Sequence, residues 1–539
     1  SLQAGGDTEI LLDERRQARR VRLEGGLTSV DTSGDRTSEV RARRGSLELS
    51  REGKLQTLDL EEDVGWTSAT SVFGASRQEG RAHLAQLIFT PAGSLSRIVA
   101  NQDARMVLRD VPTSPSVAAG RQRASSGGPV LGAGTQTLAA QQIEVVMASD
   151  GQTVRQVVAR SRPTLELVPF SPGEDQWRVE GEAFDMAFDP AGNLTQFAAE
   201  RNVRVQVGSP GKSSWQRVST SDHLTARLDP RSRSIARIEQ SGRYRYQDAE
   251  KRARAERAEY SADGEGVILR GDAVVWNATG KLSADQIALD NRTGNVQAEG
   301  KLSTTYLPTP PTPQSGASES LPIHAVAERL RYDATTGKAE YQGRVRLWRG
   351  SQVLEAGWVE LDRRQKQLEA RGKVFSVFNQ PPTGNAQGSA QDRSAGPKGT
   401  EPAEIRSERL LYRENERGAT YREGVRMRSA SVSVQSRELE VLFAPSANGV
   451  PATESGRIER AVATGEVAIL DAGRKATADR AEYFLEEGRL QLFGKPATVA
   501  DPQRGTTQGV RLTYRMRDDR IFVEGEPGIP AETRRQVHR

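Results

Sequence analysis

Apolar residues recur at every second position in short segments, and the segments recur about every thirty residues, a double period that stacked β-strands satisfy and a helix does not. In KAEYQGRVRL, Ala339, Tyr341, Gly343, Val345 and Leu347 fall on one face, and Lys338, Glu340, Gln342, Arg344 and Arg346 on the other. Leu368, Ala370, Gly372, Val374 and Phe378 keep the same parity, as do Val296, Ala298, Gly300 and Leu302. So do Ala461, Ala463, Gly465, Val467 and Ile469. The stretch RARAERAEYSA, from Arg252 to Ala262, is rich in helix formers, but it carries the recurring pattern and is assigned to a strand.

Written with h for an apolar residue, the repeat reads A-x-x-h-x-h-D, a short turn, then h-x-(A/Y)-x-G-x-V-x-h. It is plainest in AERLRYDATTGKAEYQGRVRLW and AGWVELDRRQKQLEARGKVFSVF. The last apolar residue of its first strand falls at Leu49, Phe89, Met147, Phe188, Leu228, Tyr260, Leu289, Tyr332, Leu361, Tyr412, Val441, Tyr483 and Tyr514. Toward the N-terminus these positions lie about 40 residues apart and the glycine is replaced, for example by Gln102 or Arg201, so a looser repeat is expected there. In YREGVRM the glycine has moved by one residue, which warns of a bulge that would flip the parity.

The Asp-to-Gly connections, such as Asp189 to Gly192, Asp290 to Gly294 and Asp333 to Gly337, have hairpin length, so neighbouring strands are expected to be antiparallel. A two-strand unit cannot bury its dry face alone, and about thirteen of them, roughly 26 strands, must share one interior. One strand per repeat in each of two facing walls gives an elongated body of about 60 Å. Only 35% of the residues are hydrophobic, which implies a thin core. Inward Gly and Ala either leave room for a ligand or let two sheets pack closely, and the pattern allows both. By parity, the expected lining includes Tyr332, Tyr341, Val345, Leu347, Leu361, Val374, Tyr412, Tyr421, Val425, Tyr483 and Tyr514.

Composition divides the chain into divergent repeats at 1–110, a flexible insert at 111–135 and repeats at 136–306. A Pro-rich insert at 307–322, repeats at 323–378, a flexible insert at 379–402, C-terminal repeats at 403–528 and a tail at 529–539 follow. A further turn lengthens at 444–456.

Residues for catalysis are scarce. With no cysteine there are no disulfides, thiolate metal sites or cysteine nucleophiles. His83, His223, His324 and His538 lie far apart without metal-ligand spacing, and no nucleophile elbow, phosphate loop or dinucleotide fingerprint occurs. The acidic groups Glu61, Glu62, Asp63 and Glu486, Glu487 read as solvated turn or polar-face residues. The basic runs Arg15, Arg16, Arg19, Arg20 and Arg41, Arg43, Arg44 lack interleaved aromatics and read as a solvated face or a site for an anionic partner, not for nucleic acid. Arginine supplies 65 of the 76 basic residues. Its fork suits phosphate and carboxylate, although 71 acidic residues interleave with the basic ones. No apolar run reaches the roughly 18 to 20 residues of a membrane helix. Strand-like sequence begins near Ser1, so a signal or anchor is expected to have preceded it.

The repeat resembles the OstA-like domains of LptA, LptC and the N-terminal part of the outer-membrane lipopolysaccharide translocon, most closely from Ala255 to Gly528. The resemblance implies an all-β fold, an elongated antiparallel β-jellyroll of the β-taco or solenoid-like kind, open along one edge. Its apolar interior would shield lipid A acyl chains of lipopolysaccharide while sugars and phosphates stay in water. It also implies a non-enzymatic periplasmic carrier without cofactor or metal, anchored to the inner membrane through a segment ahead of Ser1. Its partners would be an inner-membrane ABC transporter and an outer-membrane translocon, joined end to end by β-strand addition. The chain is longer than a simple bridge protein and contains inserts, which leaves open the bridge itself, a fused LptC–LptA and a relative with another lipid. Competing readings are a phospholipid bridge of the AsmA or TamB type, a non-catalytic structural β-solenoid of the cell surface, and a carbohydrate-active β-solenoid.

Overall fold

The computed structural model describes residues 2–33, 36–70, 76–110, 134–170, 175–209, 215–229, 235–261, 266–307, 321–380, 401–429, 432–444, 458–515, 520–528 and 530–534. Among them are 34 strands and no helix. All thirteen positions that mark the repeat in the sequence fall within the last three residues of a strand, from Leu49 in Arg44–Leu49 to Tyr514 in Gly505–Arg515. Arg252–Tyr260 lies inside the strand Lys251–Tyr260, so cross-strand packing overrides helix propensity there. The strand count exceeds 26 because five short strands precede Arg44–Leu49, two long strands are each split in two, and Glu532–Arg534 is added at the C-terminus.

The chain divides into two compact units, residues 1–275 with 288–292, and residues 276–287 with 293–539. Within each, successive strands pair antiparallel, as in Ala339↔Leu361 of the second unit and Ala226↔Ile238 of the first. The hairpin turns form as their composition demands. Asp333 Oδ1 accepts the backbone N–H groups of Thr335 at 2.8 Å and Thr336 at 3.1 Å, and Gly337 N–H closes onto the Asp333 carbonyl at 2.8 Å. Asp189, Asp150, Asp501 and Asp13 do the same work in other turns.

The middle of the second strand of each repeat departs from simple alternation. Gly343 and Arg344, with φ of 79° and 45°, lie between the pairs Gln342↔Trp358 and Val345↔Ala356, so two residues stand opposite Gly357 alone. Gly300–Lys301 opposite Glu328, Gly372–Lys373 opposite Glu408 and Gly465–Glu466 opposite Asp479 repeat this two-against-one bulge in the second unit. Glu62–Asp63 opposite His83, Gln102–Asp103 opposite Gln141 and Arg201–Asn202 opposite Asp222 repeat it in the first. A bulge bends the strand that carries it, and in these repeats it makes a corner.

The corner explains the spacing of the motif. On the bulged strand, buried residues flank it four apart, as in Tyr341 and Val345, Ala370 and Val374, or Ala199 and Val203. On the next strand they are three apart, as in Ala356 and Val359, Ala284 and Ile287, or Ala255 and Ala258. The A-x-x-h triplet is therefore one side of a corner whose other side is h-x-G-x-V.

Three expectations need correction. The glycines are corner residues in the left-handed region and not space left on the dry face; a Cβ on Gly343 would lie 2.5 Å from Glu328 Oε2. In YREGVRM the corner has not moved, since Glu423 and Gly424 occupy its two left-handed positions and Tyr421 and Val425 stay buried. Replacement of glycine does not loosen the corner at Gln102 or Arg201, which adopt φ of 61° and 57° there.

Of the expected inserts, 111–133, 308–320, 381–400 and 445–456 lie outside the described residues, as do 529 and 535–539 of the tail. At the margins the ladder continues, with Asn379 and Gln380 paired to Pro402 and Glu401.

Candidate functional site: the dry face between two arms

Each corner divides a strand into an arm that runs to the Asp–Gly hairpin and a far arm on the other side. Both arms bury the same face, and side chains from the two meet across it. In the second unit Tyr341 of the hairpin arm hydrogen-bonds Thr304 of the far arm at 3.1 Å, and Tyr421 hydrogen-bonds Ser376 at 2.9 Å. The Phe378 and Phe443 rings meet 5.4 Å apart, and the Arg363 guanidinium lies 4.1 Å from the Tyr306 ring centre. In the first unit Tyr244 and Tyr260 share a hydroxyl–hydroxyl hydrogen bond of 2.6 Å. The interior of each unit is thus a dry seam closed by aromatic contacts from one arm to the other.

Six of the expected lining residues lie deep in this seam. Tyr341 and Tyr421 come from the hairpin arm, Val345, Val374 and Val425 are the first residues past their corners, and Leu347 lies further along the far arm. Tyr421 is fully buried and Val345 is 1% exposed. The other five, Tyr332, Leu361, Tyr412, Tyr483 and Tyr514, are half-buried near the hairpin ends. Tyr412 packs edge-on against Phe443, with centroids 6.3 Å apart. Tyr514 is capped by Arg474, which donates to its hydroxyl at 2.5 Å and also pairs with Asp501 at 2.8 Å.

Burial sets the charge state of the seam. Desolvation raises the hydroxyl pKa of Tyr341 and Tyr421, with the hydrogen bonds shared with Thr304 and Ser376 opposing it. Tyr483 is raised by burial and then by the Asp471 carboxylate. These tyrosines are neutral at physiological pH, as an apolar seam requires.

Parity alone missed the residues on the three-spaced strands, among them Val359, Leu410 and Leu439, and the whole seam of the first unit, where Phe184 and Phe197 meet edge-on at 5.1 Å. The A-x-x-h triplet was the signal that could have found them.

Among the described residues no group of His, Cys, Asp and Glu could hold a metal ion. His324 stacks on Trp348 at 5.1 Å, and Glu62 and Asp63 pair with Arg44 and Arg43. Arg19, Arg20 and Arg41 of the basic runs also have carboxylate partners. One further feature is an edge. The strand Thr8–Leu12 is exposed along its length, pairs only with Ala18–Leu23 among the described residues, and presents Ile10 and Leu12 more than half exposed.

The LptH crystal structure, the LptA-homologous periplasmic component of the lipopolysaccharide transport device of Pseudomonas aeruginosa, is similar at 18% identity. The match covers 28% of this chain and 90% of LptH, with a TM-score of 0.20. No curated protein matches the chain. A family described as the LptA and LptD N-terminal domain lipopolysaccharide transport proteins matches residues 126–295 and 404–520, just over half of the sequence. On that match, the chain belongs to the LptA/LptD N-terminal domain family of lipopolysaccharide transport proteins.

Proposed function

We propose that this chain is a periplasmic carrier that shelters the acyl chains of lipopolysaccharide between the two arms of its folded sheet on the way from the inner to the outer membrane. The observation that carries this reading is the dry face that both arms of the repeats bury, with neutral tyrosines spanning it in the second unit. Each methylene kept from water is worth about 0.8 kcal/mol, so such a seam lowers the barrier to carrying an acyl chain through an aqueous space. The seam is closed in the chain alone, and acyl chains enter as the arms part at the cross-arm contacts of Tyr306, Thr304, Ser376 and Phe378. The eleven residues chosen by parity line that path, the half-buried five near its mouth and the buried six within.

The transport step needs no chemistry from this chain, and direction is supplied by a partner ATPase. The exposed Thr8–Leu12 edge supports strand addition to a neighbour at that end, and the partners in this reading are an inner-membrane ABC transporter and an outer-membrane translocon. Photo-crosslinkers at Tyr341 and Leu347 are expected to give lipopolysaccharide adducts in cells. Crosslinks to protein alone would count against the carrier. Phospholipid in place of lipopolysaccharide, identified by mass spectrometry of co-purified lipid, would move the cargo to the AsmA and TamB class.

A further inference from the structure

In the first unit the corner changes character between the strands Gly134–Met147 and Leu194–Gly208. Two intervening strands do not bulge but break. Val154–Arg160 stops and Thr164–Pro169 begins across Ser161, Arg162 and Pro163, and Gln176–Glu180 stops and Ala183–Phe188 begins across Gly181 and Glu182. Gly134–Met147 pairs with both pieces of the first, and Leu194–Gly208 with both pieces of the second. A cleft of about 1340 Å³ opens along the break, lined by Arg81, Arg105, Arg160, Arg162, Arg178 and Arg201.

Five carboxylates face the six arginines of the cleft, and two of the five are ion-paired. Glu166 pairs with Arg178 at 3.6 Å and Glu182 with Arg201 at 3.1 Å. Asp103 accepts a hydrogen bond from Gln141 at 3.0 Å, and Asp185 accepts from Gln156 at 2.9 Å. Glu200 is the fifth. Arg81, Arg105, Arg160 and Arg162 have no carboxylate partner among the described residues. Arg81 also stands directly opposite Arg105 in the ladder, a like-charged pair that destabilises a sheet unless something negative sits over it.

We propose that this cleft binds the anionic part of the cargo, phosphoryl or carboxylate groups carried on a saccharide headgroup. This rests on the carrier reading above. Guanidinium forks take such groups in a bidentate way. Three strand spacings separate Arg81 from the break at Arg162, about 14 Å, so the cleft suits a headgroup bearing more than one anionic group and not a single small ion.

The test uses the full chain and three probes in titration calorimetry: deacylated phosphorylated lipopolysaccharide saccharide, the same saccharide after phosphatase treatment, and inorganic pyrophosphate. The paired substitutions are Arg81→Gln with Arg105→Gln, and separately Arg160→Gln with Arg162→Gln, with folding followed by circular dichroism. The phosphorylated saccharide is expected to bind, about tenfold more weakly to either variant and more weakly as salt rises. Phosphatase treatment should reduce binding to a similar extent. Arg81→Gln alone should raise the melting temperature, because it removes the like-charged pair.

Equal binding by wild type and both variants, or equal binding of the phosphatase-treated saccharide, would overturn the site. Lipopolysaccharide adducts at Tyr341 without saccharide binding overturn the cleft and leave the carrier standing. Arginine-dependent saccharide binding without lipid adducts sustains the cleft and removes the carrier. Pyrophosphate binding as tight as that of the saccharide would mark a free-phosphate site and overturn the headgroup assignment.

Discussion

The N-terminal corners and the later ones make the same turn with different residues. Glu62–Asp63, Gln102–Asp103 and Arg201–Asn202 place two side-chain-bearing residues in the left-handed region, where Gly300–Lys301, Gly343–Arg344 and Gly372–Lys373 place a glycine first. A residue with a Cβ costs roughly 1 to 2 kcal/mol in that conformation. The N-terminal corners offset it in two ways. Asp and Asn tolerate the left-handed region better than most, and the corner side chains are tied to neighbouring segments between strands. Asn202 donates to Glu182 at 2.7 Å, Arg201 pairs with Glu182 at 3.1 Å, and Asp63 pairs with Arg43 at 2.6 Å. The corner is therefore imposed by register and by the three-against-four spacing of buried residues, and glycine only lowers its cost.

Deleting a single corner residue is the severest way to break this account. Removal of Arg344 shifts Val345 and Leu347 to the solvent face and turns Arg346 inward, since a one-residue slip inverts the parity of everything after it. The expected loss is more than about 4 kcal/mol in urea unfolding, enough to abolish a cooperative transition. Deleting Gly343 and Arg344 together restores parity but leaves Gly357 as the surplus residue on the partner strand, and should cost less than the single deletion. The reverse order would mean that the bulge itself, and not the parity it preserves, holds the repeat.

A substitution series sharpens the role of glycine. Gly300 has φ of 77°, and an added Cβ would lie 2.4 Å from Asp285 Oδ2 and 2.9 Å from Asp285 Cβ. Gly300→Ala should cost about 2 kcal/mol from backbone strain and the displacement of Asp285. Arg201→Gly relieves strain but frees the unfolded chain and removes an exposed ion pair, so its net effect should stay within about 1 kcal/mol. Equal losses at the two sites in chemical denaturation would show that the N-terminal corners depend on their side chains as strongly as the later ones depend on glycine.

How much of this was legible follows from what period two can and cannot encode. Alternation in KAEYQGRVRL placed Tyr341, Val345 and Leu347 on one face, and the bulge left that parity intact because Tyr341 and Val345 lie four apart across it. The same reasoning could not see that Ala356 and Val359 share the seam, since three-residue spacing violates alternation until the corner is known. Arg201 looked like an irregularity because residue identity hides a backbone conformation that several residue types can adopt. Nor could it identify the arginine cleft, whose members come from five separate strands and one connection and meet only through pairing.

The cross-arm tyrosines test the comparison at smaller scale. Tyr421→Phe leaves the buried Ser376 hydroxyl without its partner and should cost about 1 to 2 kcal/mol in urea unfolding. Tyr341→Phe, whose partner Thr304 is only half-buried and can reach water, should cost about half as much. If lipid displaces these contacts, bound lipopolysaccharide should shrink the difference between Tyr421→Phe and wild type.

The smallest expected effect separates the hairpin end of the repeat from its corner by pH. Asp333 and Asp189 are held below the usual carboxylate range chiefly by backbone N–H donors, from Thr336 and Asn193 respectively, and Asp150 by the Thr153 hydroxyl ahead of backbone donors. A carboxyl whose pKa is lower in the folded chain binds its proton more readily when unfolded. Its stabilisation is therefore complete above the unfolded-state value near 3.9 and is lost as pH falls through the depressed folded value. Stability should fall below about pH 4 through the hairpins, and Asp333→Asn should flatten that acid limb while leaving the plateau near pH 7 little changed, because the amide oxygen still accepts from Thr335 and Thr336. An acid limb as steep in Asp333→Asn as in wild type, measured by urea titration at successive pH values, would place the acid sensitivity at the corners instead.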